Sequence, residues 1–326
     1  MADQLLYKLP GKEIVHQFGE FSQNNLQDPD INGFVVSDFE NKLQYLFEPS
    51  NETKVCNYHT NNPIEKHWSR EEYENKASVF LKAVKTLGIK KAVLSRTKEV
   101  SFLINNAKEL FNYLARKHPN AFVYLISSSK FGTWLGCTPE LLIEIHKNTA
   151  FTMSLAGTKA VNDSAEWTEK EKNEQYFVTQ FIVEELSKKS IQNIEKHGPY
   201  PFNAGAVKHL RTDISFDIGQ NKAIDIANII HPSPAVSGLP QSFACELIKH
   251  AESHQRNLYT GFLGFITPSS TRLYVNLRCC QLYDKKAVLY LGGGFTKDST
   301  PNNEWLETEE KSKTLMEAIK AVNDYK

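Results

Sequence analysis

The stretch SREEYENKASVFLKAVKTLGIKKAVLS, residues 69–95, sets a helix directly before a strand, and its reading decides the class of fold. Ser69 with Glu72 three residues on forms a capping box, which satisfies free backbone N–H groups at the first turn of a helix. Ala77, Phe80, Leu81, Val84 and Leu87 then recur at helical spacing until Gly88 stops the run, and Lys91 opens an apolar strand, AVLS. Downstream, strand-like runs lie at 121–127, 141–145, 151–155, 206–210, 261–266, 273–283 and 287–291. Helical runs near 101–116, 168–189, 240–254 and 303–322 are interspersed among them without strict alternation, an order that favours α+β over a doubly wound α/β sheet.

Upstream, residues 1–65 carry two short strand-like runs, 33–38 and 42–47, followed by a polar stretch rich in Asn and Thr that ends at Pro63 and reads as a linker or loop. The chain is therefore expected to divide into a short N-terminal segment, 1–65, packed on a main domain, 66–326. Lys plus Arg (38) balances Asp plus Glu (38), so no net field draws the protein to nucleic acid or to an anionic membrane, and any anion must be held by a few placed charges. The opening MADQLLYKLPGKEIVHQFGE is broken by Asp3, Lys8, Pro10 and Gly11 before an apolar stretch reaches signal-peptide length, and a cytoplasmic monomer is expected. Cys56, Cys137, Cys245, Cys279 and Cys280 are odd in number and lack CxxC spacing, which argues for reduced, buried thiols over disulfides or zinc.

Chemistry-bearing residues gather in a few places. Gly292, Gly293 and Gly294 directly follow the strand KAVLYL, where three missing Cβ atoms expose backbone N–H groups. A tight turn explains such a triplet about as often as an anion site. In NEWLETEEK, Glu304, Glu307 and Lys311 share one helix face, and a second acidic helix holds Glu166, Glu169, Glu171 and Glu174. Either run alone is more often a solvated helix start, but magnesium is held by one or two carboxylates plus water and substrate oxygens, so one glutamate from each helix would suffice. Spacing does not say which glutamate points inward. Lys91 and Glu140 each stand at the edge of an apolar strand; such a lysine is normally solvated, but one that loses its proton on partial burial can serve as a base and a desolvated carboxyl as an acid, and the sequence by itself shows neither shift. His231, in a Pro-rich turn, and His209, on a strand, read as hydrogen-bonding residues.

Taken in order, KAVLSR (91–96), GCTPELL (136–142), SLAGTKA (154–160), HPSPAVSGLP (231–240), RNLYTGFLGF (256–265), LYVNLR (273–278), YLGGGF (290–295) and NEWLETEEK (303–311) resemble the chorismate-utilising enzymes, which include isochorismate, salicylate, anthranilate and aminodeoxychorismate synthases. The resemblance covers roughly residues 70–326. It implies two packed antiparallel sheets with helices outside and a site in a deep cleft that takes chorismate, a dianion. It further implies Lys91 as general base and Glu140 as general acid, with Glu174 and Glu307 as magnesium ligands supported by Glu304. Gly157, Thr158, His231, Ala235, Tyr259, Leu277, Arg278, Gly292 and Lys311 are implied as the substrate-binding set.

Within the family, Lys91 points away from the anthranilate branch, which lacks the lysine base, and Ala156 points away from the aminodeoxychorismate branch, which places a nucleophilic lysine there. Ala235 resembles the isochorismate branch, since salicylate synthases tend to carry threonine. Three residues depart from the family pattern: Gln175 for a histidine after the metal glutamate, Gly293 for an alanine, and Tyr259 where Phe is frequent. The expected function is magnesium-dependent isomerisation of chorismate, serving menaquinone or a catecholate siderophore, with a salicylate synthase or a chorismate-binding protein without catalysis as the alternatives.

Overall fold

A computed structural model describes residues 2–28, 30–51, 57–61, 67–205 and 207–324. Cys56, Pro63, Ala206 and the expected boundary at 65–66 lie outside them. In chain order the elements are β1 (Asp3–Lys8), β2 (Ile14–Gln23), β3 (Gly33–Ser37), β4 (Gln44–Pro49), α1 (Arg70–Thr86), β5 (Lys91–Ser101), α2 (Ala107–Lys117), β6 (Phe122–Ser128), β7 (Gly132–Thr138), β8 (Leu141–His146) and β9 (Thr149–Ala160). There follow α3 (Glu169–Lys188), β10 (Gln192–Ala204), β11 (Val207–Asp217), α4 (Ala223–Ile230), β12 (Gly238–Leu239), α5 (Gln241–Ala251), β13 (Phe262–Ile266), β14 (Ser270–Val275), β15 (Cys279–Tyr283), β16 (Lys286–Phe295) and α6 (Pro301–Asp324).

The sixteen strands form one antiparallel ladder in the order β10-β11-β9-β8-β14-β13-β3-β4-β2-β1-β6-β7-β15-β16-β5-β12. The two expected sheets are the halves of this ladder, folded so that one faces the other. Phe122 of β6 stacks on Tyr274 of β14 with ring centroids 4.5 Å apart, and Tyr7 of β1 meets Phe265 of β13 at 4.7 Å. The N-terminal strands β3, β4, β2 and β1 join the halves in the middle of the ladder. Between the layers lies an aromatic core that includes Phe21, Phe34, Phe122, Tyr124, Trp134, Tyr259, Tyr274 and Tyr290. The helices cover the outer faces: α3 and α4 over one half, and α1, α2, α5 and α6 over the other.

The capping box of α1 forms as its sequence dictates, with Glu72 N–H donating to Ser69 Oγ at 3.2 Å and Ser69 N–H to Glu72 Oε2 at 2.9 Å. Elsewhere the structure corrects the sequence reading. β1 and β2 carry polar residues that blur the strand alternation; Asp3 is buried because its carboxylate accepts from Phe21 N–H at 2.8 Å and Ser128 Oγ at 2.7 Å. β10 contains Pro199 and Pro201 and survives because it is the edge of the ladder, where a missing N–H is tolerated. The run 273–283 is two strands, β14 and β15, interrupted at 276–278. Among the described residues no helix is long and apolar enough to cross a membrane.

The inter-layer stack sets the first prediction. Phe122 is fully buried, so Phe122→Ala removes a ring that its neighbours cannot replace and costs about 3–5 kcal/mol in chemical denaturation. A loss below about 1 kcal/mol would show that the layers do not depend on this contact.

Candidate active site

The site grows from the pairing of β5 with β16, which runs from Lys286 opposite Ser101 to Phe295 opposite Ala92. The glycine triplet is neither a turn nor a loop: Gly292, Gly293 and Gly294 lie inside β16, opposite Ser95, Leu94 and Val93. Their use is space. A Cβ on Gly292 would stand 2.7 Å from the Tyr259 hydroxyl, one on Gly293 3.0 Å from Glu304 Oε2, and one on Gly294 2.9 Å from Lys91 Cε. The smooth strand surface thereby admits three polar side chains that bulkier residues would push away.

Two local distortions bring in further groups. In β9, Ala156 pairs with Leu210 and Thr158 with His209, so Gly157 is the extra residue of a β-bulge, with φ at +68°. Arg278 sits in the break between β14 and β15 with φ at +49°, a conformation disfavoured for a side chain of its size. Asn276 holds that break from within: its amide donates to Leu258 O at 2.8 Å and its carbonyl accepts from the Tyr124 hydroxyl at 2.6 Å. Glu140 follows β7, and its backbone is fixed by Val275 N–H donating to its carbonyl at 3.0 Å.

These elements enclose a cleft of about 740 Å³. Lys91, Glu140, Gly157, Thr158, Glu174, Ala235, Tyr259, Leu277, Arg278, Gly292, Glu307 and Lys311 all line it. Of the catalytic, metal and substrate-binding residues that the resemblance implied, two do not. Glu304 lies behind the cleft wall, fully buried. His231 lies behind it too: its Nε2–H donates to Thr260 O at 2.8 Å and its ring stands edge-on to Phe262, so it braces the wall rather than facing the cleft.

Burial controls the electrostatics. Lys91 is 3% exposed, and desolvation lowers its proton affinity although Glu174, 3.8 Å away, pulls the other way. Glu140 is 5% exposed, and desolvation pushes its carboxyl up to about 7 against the pull of Lys91, Lys311 and Arg278. A buried lysine inclined to lose its proton thus shares a cleft with a carboxyl inclined to keep one. Desolvation also works to raise Glu307, but Lys311, 2.6 Å from it, and Lys170 hold it below the ordinary carboxylate range. Lys311 donates in addition to Gly292 O at 2.9 Å. His209 is buried and pushed down to about 3, first by desolvation and then by Arg278, so it is neutral; its Nδ1–H donates to Gly157 O at 2.9 Å, which leaves Nε2 to accept from Arg278 at 3.2 Å. The bulge, the histidine and the guanidinium are therefore locked as one unit.

Among the glutamates of α3, Glu174 is buried, Glu169 is exposed, and Glu171 accepts from Thr168 N–H at 2.7 Å to cap the helix. The sequence reading missed Lys170, whose ammonium is 2.7 Å from Glu304 Oε1 and 3.5 Å from Glu174 Oε1. Its four-residue spacing to Glu174 was the available signal. Desolvation opposes its charge, but Glu304 and Glu174 more than compensate and raise its proton affinity. Among the described residues no three His, Cys, Asp or Glu side chains converge as a ready metal cage; Glu174, Glu304 and Glu307 are each met by a lysine. The donor set nevertheless suits a hard cation, since Glu174 and Glu307 both face the cleft and Glu304 Oε2 is buried with no partner among the described residues. Gln175 is no part of it: its amide donates to Thr212 at 2.6 Å, Thr179 at 2.8 Å and Ser154 at 3.0 Å, pinning α3 to β9 and β11.

Known proteins share this architecture. Isochorismate synthase MenF of Haemophilus influenzae is 27% identical over 259 residues, which cover 75% of this chain and 59% of that protein. Isochorismate synthase EntC of Escherichia coli is 26% identical over 241 residues, 70% of this chain and 62% of that one. Anthranilate synthase component 1 of Aquifex aeolicus is 23% identical over 295 residues, 83% and 58%. The chain thus spans about three fifths of the length of the curated relatives it matches. Among solved structures, the menaquinone-specific isochorismate synthase MenF of Escherichia coli has the same fold at a TM-score of 0.82 with 19% identity, covering 97% of this chain and 88% of that one. The 2,3-dihydroxybenzoate-specific isochorismate synthase DhbC of Bacillus anthracis gives 0.79 with 21% identity, covering 97% and 95%. A family model described as chorismate binding enzyme matches residues 24–320, and with nearly the whole chain inside that match the protein belongs to the chorismate binding enzyme family.

Proposed function

We propose that this protein is a magnesium-dependent isochorismate synthase, and the observation that carries the reading is the burial of Lys91 and Glu140 in one cleft, where desolvation shifts each toward its uncharged form. Neutral Lys91 takes a proton from a water that attacks ring carbon 2 of chorismate. Glu140, entering protonated, gives its proton to the hydroxyl that leaves carbon 4. Base and acid each act in the form that burial favours, so neither has to be prepared at a cost in energy.

Arg278, held by His209 and by its hydrogen bond to Lys311 O at 3.3 Å, and Lys311 itself supply the positive charge that holds the carboxylates of the substrate. Magnesium would be held by Glu174 and Glu307, with Glu304 and Lys170 fixing Glu174 from behind, and when bound it would anchor and neutralise the ring carboxylate. Ala156 and Ala235 on the cleft wall support this branch over the aminodeoxychorismate and salicylate branches. The product is read as a menaquinone precursor, with a siderophore precursor as the other destination; relatives and neighbours named for each are similar to this chain.

Proton NMR of chorismate mixed with protein and magnesium is expected to show new isochorismate ring signals that disappear with EDTA. Salicylate plus pyruvate would move the protein to the salicylate branch, and an unchanged spectrum would leave only chorismate binding. Lys91→Ala and Glu140→Gln are each expected to lower kcat by about two to four powers of ten while the thermal midpoint stays near that of the parent. Near-parental turnover in either variant would remove that residue from its assigned role.

A further inference from the structure

Beside the cleft lies a second cavity of about 580 Å³, walled by the end of β10 with Gly205, the segment 117–121 from the end of α2 toward β6, and α6. It shares Pro139 and Arg278 with the cleft, so one guanidinium borders both spaces. Its other polar walls are Lys117, His118, Asn120, Asn203 and Thr314, and no carboxylate lines it among the described residues.

Several donors there are unspent. The Thr314 hydroxyl is buried without a partner among the described residues. Neither ring nitrogen of His118 has one either. Arg278 directs two of its N–H groups to Lys311 O and His209 Nε2, which leaves the others free to face the cavities. Gly205, with φ at +67°, brings the turn close: a Cβ there would stand 2.9 Å from Thr314 Oγ1 and 3.6 Å from His118 Cε1. Desolvation, then Lys117, keeps His118 below its ordinary range and hence a neutral donor.

We propose that this cavity is an outer carboxylate site, where His118 and the free N–H groups of Arg278 hold one carboxylate of an incoming dicarboxylate before it passes to the cleft, which the same fixed guanidinium also borders. That the dicarboxylate is chorismate rests on the isochorismate synthase reading. A cavity with donors and no carboxylate attracts an anion and raises its rate of capture, whereas a new negative charge there repels it.

The test introduces that charge. With His118→Glu, kcat/KM for chorismate at low ionic strength is expected to fall about ten-fold, through KM, with kcat within about two-fold of the parent. Asn203→Asp, on the opposite wall, is expected to act in the same direction, and His118→Gln, which keeps an N–H donor, to recover most of the loss. The same ten-fold change is expected in the association rate of chorismate, followed by stopped-flow tryptophan fluorescence with Lys91→Ala protein, where no turnover is needed. If kcat/KM and the association rate both stay within about two-fold in folded His118→Glu and Asn203→Asp proteins, or if the loss falls on kcat alone, the outer site is overturned. If the parent binds chorismate but makes no isochorismate, the activity reading falls while the association rates still decide the outer site.

Discussion

Everything at the site depends on how closely β16 lets side chains approach its backbone. Three consecutive glycines inside a buried, hydrogen-bonded strand are costly for strand stability, because they add flexibility and bury no side chain. The return is local. Lys91, Tyr259 and Glu304 occupy the volume that three Cβ atoms would fill, and Lys91 loses its water as a result. The base is made by packing, through the β5–β16 pairing that lies one strand in from the end of the ladder.

Charge pairing then keeps that burial tolerable. Glu174, Glu304 and Glu307 face Lys91, Lys170 and Lys311, all in a region where an unpaired charge would be severely penalised. Arg278 is the cation without a carboxylate partner in the cleft, since its contacts there are a carbonyl and a neutral imidazole. Under the proposed function, a divalent cation and a dianion arriving together leave this balance unchanged. Pairing also explains why desolvation wins at Glu140, which has no cation in direct contact, and loses at Glu307, which touches Lys311.

Much of this was legible in the sequence, and the rest was hidden for identifiable reasons. The helix at 70–86 announced itself through Ser69, Glu72 and an apolar face, and the shared face of Glu307 and Lys311 followed from four-residue spacing. Strands β1 and β2 were not legible, because Asp3 is a buried carboxylate that only a fold bringing Phe21 and Ser128 beside it can satisfy. The break at Arg278 was read as continuous strand, since the chain bends there to serve Asn276, whose partners Tyr124 and Leu258 are distant in sequence. Lys170 was missed because the value of a helix-surface lysine is set by Glu304, more than a hundred residues away. The glycine triplet was legible as a place without Cβ atoms; it is part of a paired strand rather than a tight turn, and Lys91 and Tyr259, which use its space, are distant in sequence.

The account stands on Lys91 activating a water molecule rather than guiding an internal migration of the substrate hydroxyl. Conversion of chorismate in water enriched in oxygen-18, with the product examined by mass spectrometry and carbon NMR, tests this most directly. One solvent oxygen per isochorismate, located at carbon 2, is the result the account predicts. Isochorismate that keeps the original oxygen would contradict it, and with it the role assigned to the buried lysine.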